Sequence, residues 1–183
     1  MSPLVVYTVG HGNRPLDELL ALLQRAGIGN LIDVRAYPQS RRHPQFREQA
    51  LRAGIEDTGM SYHWAGRQLG GRRQPRADSP HRALKEPGFR AYADYMESAA
   101  FQAAATQLLR LARRGSTAIL CAERRPEHCH RSLIADYLSL LGVRVIHLIE
   151  PGEQRDHVLS PQARRESGRL VYDRHTTAAL DLG

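Results

Sequence analysis

The chain opens on a run of apolar, β-branched residues at 4–9 that ends at Gly10, the pattern of a buried strand. Behind Pro15, Leu16, Leu19, Leu20 and Leu23 recur at helical spacing, and Gly27 follows as a stop. A second apolar run at 31–34 completes a strand, helix, strand unit, whose strands are expected to be parallel and whose crossover is expected to be right-handed. The same order returns later. An apolar strand at 117–121 precedes a helix face of Leu133, Ile134, Tyr137, Leu138 and Leu141, which Gly142 caps before a strand at 143–149.

Between these units the pattern predicts a helix at 45–57, a short strand at 61–64, and helices at 89–98 and 101–114. In the last of these, Phe101, Ala105, Leu108 and Ala112 share one stripe. The stretch at 66–88 is rich in glycine and arginine and has no periodicity; it is too long for a passive connection and reads as either a functional loop or a mobile one. The tail after 151 is polar and weakly patterned. These elements predict a single α/β domain over 1–183: a three-layer, Rossmann-like open sheet, mostly parallel, with helices on both faces.

Composition narrows the classes. With 42% hydrophobic and 25% charged residues in 183, the chain is of the soluble globular type and not disordered or fibrous. No apolar run approaches the ~20 residues that span a bilayer, and the N-terminus lacks the basic start of a secretory signal, so a cytoplasmic location is expected. Cys121 and Cys129 are too few for a disulfide framework, so interest in them is chemical. The net charge of +7 is uneven: ten arginines between Arg35 and Arg82 face only four acids. Such a patch suits a polyanion or a phosphate-bearing substrate, or else is a solvated basic loop.

In an open parallel sheet, ligands gather beyond the carboxyl ends of the strands. There the chain places Gly10, His11 and Gly12, then Asp33 and Arg35, then Cys121 and Glu123 with Cys129, His130 and Arg131 at a helix start. These residues are expected to converge on one crevice. The first loop is a candidate anion site built from helix-start amides, or simply a tight turn. In an extended segment an ion pair between Asp33 and Arg35 is strained, so each is expected to serve a neighbour or a ligand, Arg35 as an anion clamp; the alternative is a partly buried pair that orders the loop after the strand. Cys129 precedes Arg131 where helix amides and a guanidinium lower a thiol's pKa, with His128 and His130 as flanking bases; alternatively it is a small packing residue. Cys121, Cys129 and His130 are also candidate metal ligands, although the Cys-x-x-Cys pairs of structural zinc are missing. Gly70, Gly71 and Arg72, following Tyr62 and Trp64, suit a basic lid, or else Tyr62 and Trp64 are strand residues packed on the core and the arginines are solvated.

The segments Thr8-Val9-Gly10-His11-Gly12, Asp33-Val34-Arg35 with Pro38 and Ser40, Leu69-Gly70-Gly71, and Leu120-Cys121-Ala122-Glu123 with Cys129-His130-Arg131 resemble the domain of unknown function 488 family over about 8–149. The resemblance implies an α/β fold with two characteristic cysteines and brings no established reaction or cofactor. The residues themselves point to an enzyme, a hydrolase or transferase, acting on a nucleotide or nucleic acid. Cys129, His11, His130 and Glu123 are its candidate catalytic residues. Gly10, Gly12, Asp33, Arg35, Arg131, Gly70, Gly71 and Arg72 are the candidate anion-binding ones. The alternative is a non-catalytic nucleic-acid-binding module whose working part is the Arg35 to Arg82 patch.

Overall fold

A computed structural model describes residues 2–175. Its main sheet contains β1 (Val5–Gly10), β2 (Asn30–Asp33), β3 (Ser61–Trp64), β4 (Thr117–Cys121), β5 (Arg144–Glu150) and β6 (Glu153–Asp156), in the spatial order β3-β2-β4-β1-β5-β6. The first five are parallel, and β6 returns antiparallel along β5. Helices α1 (Leu16–Arg25) and α2 (Glu48–Asp57) cover one face. The opposite face carries α4 (Pro87–Tyr95), α5 (Ala99–Arg114) and α6 (Arg131–Leu140), with the short α3 (Gly66–Leu69) against α5. This is the Rossmann-like α/β architecture that the apolar pattern predicts. No described helix is long and apolar enough to cross a membrane.

Successive strand residues point to opposite faces, and this alternation divides the core in two. Along β4, Ala118 and Leu120 join the layer under α1 and α2, whereas Ile119 and Cys121 join the layer under α4 to α6. Along β1, Val9 belongs to the first layer and Val6 to the second. The second layer is larger because α5 contributes a full stripe, with Phe101, Ala105, Leu108 and Ala112 all buried. Its first turn is fixed by Ser98, whose side chain accepts from the Phe101 amide at 3.2 Å.

Three local expectations are corrected. The helix placed at 45–57 begins as a 3-10 turn, Pro44–Phe46, and becomes α2 only at Glu48. The stretch at 66–88 contains α3 and the first turn of α4. The tail after 151 contains β6 and a separate hairpin, β7 (Ala163–Glu166) and β8 (Arg169–Tyr172), whose Ala163, Leu170 and Tyr172 pack into the second layer.

The topology locates the place where a ligand would be sought first. Strands β1 and β4 are neighbours, yet the chain leaves β1 for β2 on one side and β4 for β5 on the other. Their carboxyl ends therefore flank the switch point of the sheet. Here that crevice is closed by the chain itself. The His11 amide donates to the Cys121 carbonyl at 3.0 Å and the Gly12 amide to the Ala122 carbonyl at 2.8 Å. A Cβ on Gly10 would fall 1.7 Å from the Glu123 carbonyl oxygen, so the crossing of the β4 exit over β1 requires glycine.

Candidate functional site

The residues expected to meet in one crevice form two groups on opposite sides of the sheet. The first is built at the end of β2. Asp33 is wholly buried, and the strand ends with it, so the following backbone turns back on the carboxylate. Asp33 Oδ1 accepts from the Arg35 amide at 3.1 Å and from its Nε at 2.9 Å; Oδ2 accepts from Arg35 Nη2 at 2.7 Å and from the Tyr62 hydroxyl. The expected strain in an Asp33 to Arg35 pair is thus absent, because Arg35 lies beyond the extended segment and folds over its partner.

Arg35 Nη1 donates to the Phe46 carbonyl at 2.7 Å and lies 3.3 Å from His11 Nε2. His11 Nδ1 donates to the Gly12 carbonyl at 2.8 Å, which leaves Nε2 as the acceptor facing Arg35. The ring stacks on Phe46, centroids 4.4 Å apart. Burial, opposed by the Gly12 hydrogen bond and aided by the Arg35 charge, lowers its pKa to about 4. His11, Asp33 and Arg35 therefore satisfy one another, and the His11 and Gly12 amides are taken by carbonyls at the β4 exit. The structure gives neither an amide cradle for an anion at the first loop nor a free face on the Arg35 clamp.

The second group lies on the α4 to α6 side. Cys121 ends β4, Cys129 follows a 3-10 turn (Pro126–His128), and His130 caps α6. His130 Nδ1 is 3.8 Å from Cys121 Sγ and 3.7 Å from Cys129 Sγ. Its Nε2 is 3.0 Å from the Leu69 carbonyl, an acceptor only, so Nε2 carries the proton and Nδ1 directs its lone pair at the sulfurs. Both cysteines are free thiols and buried. These three donor atoms lie within 4.8 Å of one another, the one such group of histidine, cysteine or carboxylate donors among the described residues.

Burial alone would raise the Cys129 thiol, yet the neighbouring Cys121, His130 in its doubly protonated form and the Arg131 charge bring it well below its ordinary value. Cys121 moves the other way, because it shares its proton with Cys129 and is buried. The Arg131 amide, the first of α6, approaches Cys129 Sγ at 3.5 Å. The Arg131 guanidinium itself is fully buried. It donates to Thr8 Oγ1 at 3.2 Å, to the Arg124 carbonyl at 3.0 Å and to the Glu123 carbonyl. Its expected role as an anion clamp is corrected accordingly: it holds the β4 exit loop across β1. Glu123 presents its side chain to solvent, away from the sulfurs' hydrogen bonds.

The segment from Leu69 to Gly71 roofs His130 of this second group, while Gly70 itself packs against Gly66 and Ala36. A Cβ on Gly71 would lie 2.8 Å from His130 Nδ1. The roof is pinned from α4: Tyr92 OH donates to the Leu69 carbonyl at 2.8 Å and Tyr95 OH to the Gln68 carbonyl at 2.6 Å. Arg73 lies over the Tyr95 ring at 3.6 Å. Arg72 is exposed and stacks on the exposed Tyr37 at 4.8 Å. Among the described residues, exposed arginines that make no salt bridge include Arg41, Arg42, Arg67, Arg72 and Arg125 on segments that follow β2, β3 or β4, and also Arg25 on α1, Arg110 and Arg113 on α5 and Arg165 on β7.

Sequence reasoning missed a buried polar chain behind this site. Thr8 Oγ1 is 2.6 Å from His147 Nδ1, His147 Nε2 is 2.9 Å from His157 Nδ1, and His157 Nε2 is 2.7 Å from Asp136 Oδ1. The only local signals were a lone threonine in β1 and a lone histidine in β5, both inside apolar runs. Burial and His157 hold the His147 pKa down to about 3. The chain ends at a cavity of about 480 Å³ whose lining includes Phe89, Asp136, His147, Arg155 and His157.

Fold and site together define an open-sheet α/β protein with a buried Cys-Cys-His group at the β4 to α6 connection. Over residues 15–138 the chain matches the family described as domain of unknown function DUF488, and it belongs to that family. No curated protein and no solved structure matches it significantly.

Proposed function

We propose that this protein is an enzyme, of the hydrolase or transferase type, that acts on a phosphate-bearing substrate, a nucleotide or nucleic acid, at the sulfur of Cys129. The observation that carries the reading is the placement of a buried thiol pair and a histidine directly beneath a glycine loop flanked by unpaired arginines. The sulfur is the reactive atom, and the helix-start amide and Arg131 favour its thiolate. Arg41, Arg42, Arg72 and Arg125 supply the positive rim for phosphate, in place of the first-loop amides. Because Cys129 is buried, substrate reaches it when the segment around Gly70 and Gly71 lifts.

The exposed arginines also favour a second reading, in which they bind nucleic acid and the sulfur group takes no part. One experiment separates the two. The reduced, chelator-treated protein is labelled with iodoacetamide in the presence of mononucleotides and of short oligonucleotides, and Cys129 is followed by peptide mapping. The enzyme reading expects faster labelling of Cys129 than of Cys121, protection of Cys129 by at least one ligand, and turnover that Cys129→Ser abolishes. Oligonucleotide binding that is equal in wild type and Cys129→Ser, with no protection of the thiol, overturns it in favour of the binding module.

A further inference from the structure

We infer that Cys121, Cys129 and His130 bind a single thiophilic divalent ion of the zinc class, with a fourth coordination position left open. The inference deepens the reading above by stating what kind of centre the sulfur group is. Its first support is size. A tetrahedral zinc ion with sulfur at about 2.3 Å and nitrogen at about 2.0 Å separates its ligand atoms by about 3.5–3.8 Å. Here the histidine nitrogen stands 3.7 and 3.8 Å from the two sulfurs, and all three donors lie within 4.8 Å. Little movement is needed to surround an ion.

The second support is the state of the histidine. A metal-binding imidazole characteristically gives its other N–H to a carboxylate or a backbone carbonyl, which fixes the tautomer and aims the ring. His130 makes this arrangement with Leu69, and the Leu69 carbonyl is held in turn by the Tyr92 hydroxyl. Tyr92 also lies against the His130 ring, 4.9 Å between centroids. The third support is room: the backbone faces His130 Nδ1 through Gly71, and any side chain there would reach 2.8 Å from that nitrogen.

The donor set fixes the class of ion. Two sulfurs and one imidazole suit zinc and related soft ions and not magnesium or calcium, which take oxygen. Binding leaves both sulfurs as thiolates, the Cys121 thiol giving up its proton. Two thiolates then balance the two positive charges, and a neutral imidazole completes the set, so the buried site acquires no net charge. Three protein ligands are the number found where a fourth position stays free for water or for a substrate oxygen. A coordinated sulfur is held as thiolate, the form that the proposed reaction needs.

Cobalt is the direct probe. Reduced, chelator-treated full-length protein is titrated with Co²⁺, and the sulfur-to-cobalt charge-transfer band and the intense visible bands of tetrahedral cobalt are recorded. The expected result is saturation at one equivalent and displacement by Zn²⁺. Cys121→Ser and His130→Ala should weaken binding at least tenfold, and the Cys121→Ser, Cys129→Ser double variant should lose the charge-transfer band. His63→Ala, exposed on β3, should titrate like wild type. A second readout needs no variant: Zn²⁺ should slow the reaction of both thiols with a disulfide reagent. A cobalt spectrum without the charge-transfer band, or thiols that react equally fast with and without Zn²⁺, overturns the inference. If nucleotide still protects Cys129 from iodoacetamide in that case, the proposed function stands without the metal. Metal binding with no protection by any ligand has the opposite meaning.

Discussion

The two polar groups at the strand ends contain similar residue types and differ in how completely they are satisfied. Around Asp33, every charged or titratable neighbour has a partner within the group: Arg35 is bonded to the carboxylate, to a carbonyl and to His11, and Tyr62 closes the second carboxylate oxygen. Around Cys129, a histidine lone pair and two sulfurs face one another across 3.7 to 3.8 Å, longer than a good hydrogen bond between smaller atoms. A saturated group orders the fold, whereas a group with donor capacity left over is where chemistry can be added.

The strongest way to break this comparison is to remove one member of each group. Arg35→Ala leaves Asp33 charged, buried and short of two hydrogen bonds, and should lower the stability by about 3–5 kcal/mol in urea unfolding. Cys129→Ser, which leaves no buried charge, should lower it by about 1–2 kcal/mol and remove the chemistry instead. Equal losses from the two would erase the distinction.

A second expected effect comes from pH. Folding holds the His11 pKa at about 4, below the 6.5 of the exposed side chain. The unfolded chain therefore binds more protons between these values, and stability is full above about pH 6.5 and declines as pH falls toward 4. At about 1.4 kcal/mol per unit, His11 alone contributes at most about 3 kcal/mol of that decline. His147, held at about 3, adds to the same acid limb. His11→Gln should flatten the dependence of the unfolding free energy on pH without abolishing it, and an unchanged slope would show that His11 is not held neutral.

Gly71→Ala sharpens the contrast from the sulfur side. Its methyl group meets His130 Nδ1 at 2.8 Å, so the ring must tilt, and cobalt affinity should fall about tenfold while unfolding in urea changes little. The smallest expected effect concerns the arginine rim. Changing Arg41, Arg42 and Arg72 together to alanine should make the salt dependence of single-stranded oligonucleotide binding shallower, by about 0.7 in log–log slope for each phosphate that is no longer neutralised. An unaltered slope would remove these arginines from the binding surface.

The hydrophobic rhythm made β1, β2, β4, β5 and the helix faces legible, because each buries apolar residues at a fixed period. The C-terminal strands escaped for the opposite reason: β6 is Glu-Gln-Arg-Asp, exposed throughout, and β7 is mostly charged. Their turns did carry a signal. Pro151-Gly152 joins β5 to β6 with Gly152 at φ 79°, and Ser167-Gly168 joins β7 to β8 with φ of 47° and 77°, as a type I′ hairpin requires. At the site, the cysteines were legible from their positions after a strand and before a helix. The closure of the first loop was not, since it depends on the β4 exit passing over Gly10, an approach of distant segments that no local pattern encodes.

That crossing also bears on how the chain reaches its fold. β1 is made first, yet its two neighbours are β4 and β5: Gly10 pairs in register with Cys121 and Val9 with Leu148. On a ribosome, the central strand must wait through the synthesis of about a hundred residues before either edge can be paired, the situation that slows folding and leaves an apolar strand open to wrong partners. The sheet is therefore expected to form in a late, concerted step. Until then Cys121 and Cys129 are ordinary exposed thiols, and the metal-binding geometry comes into being only with the last strands.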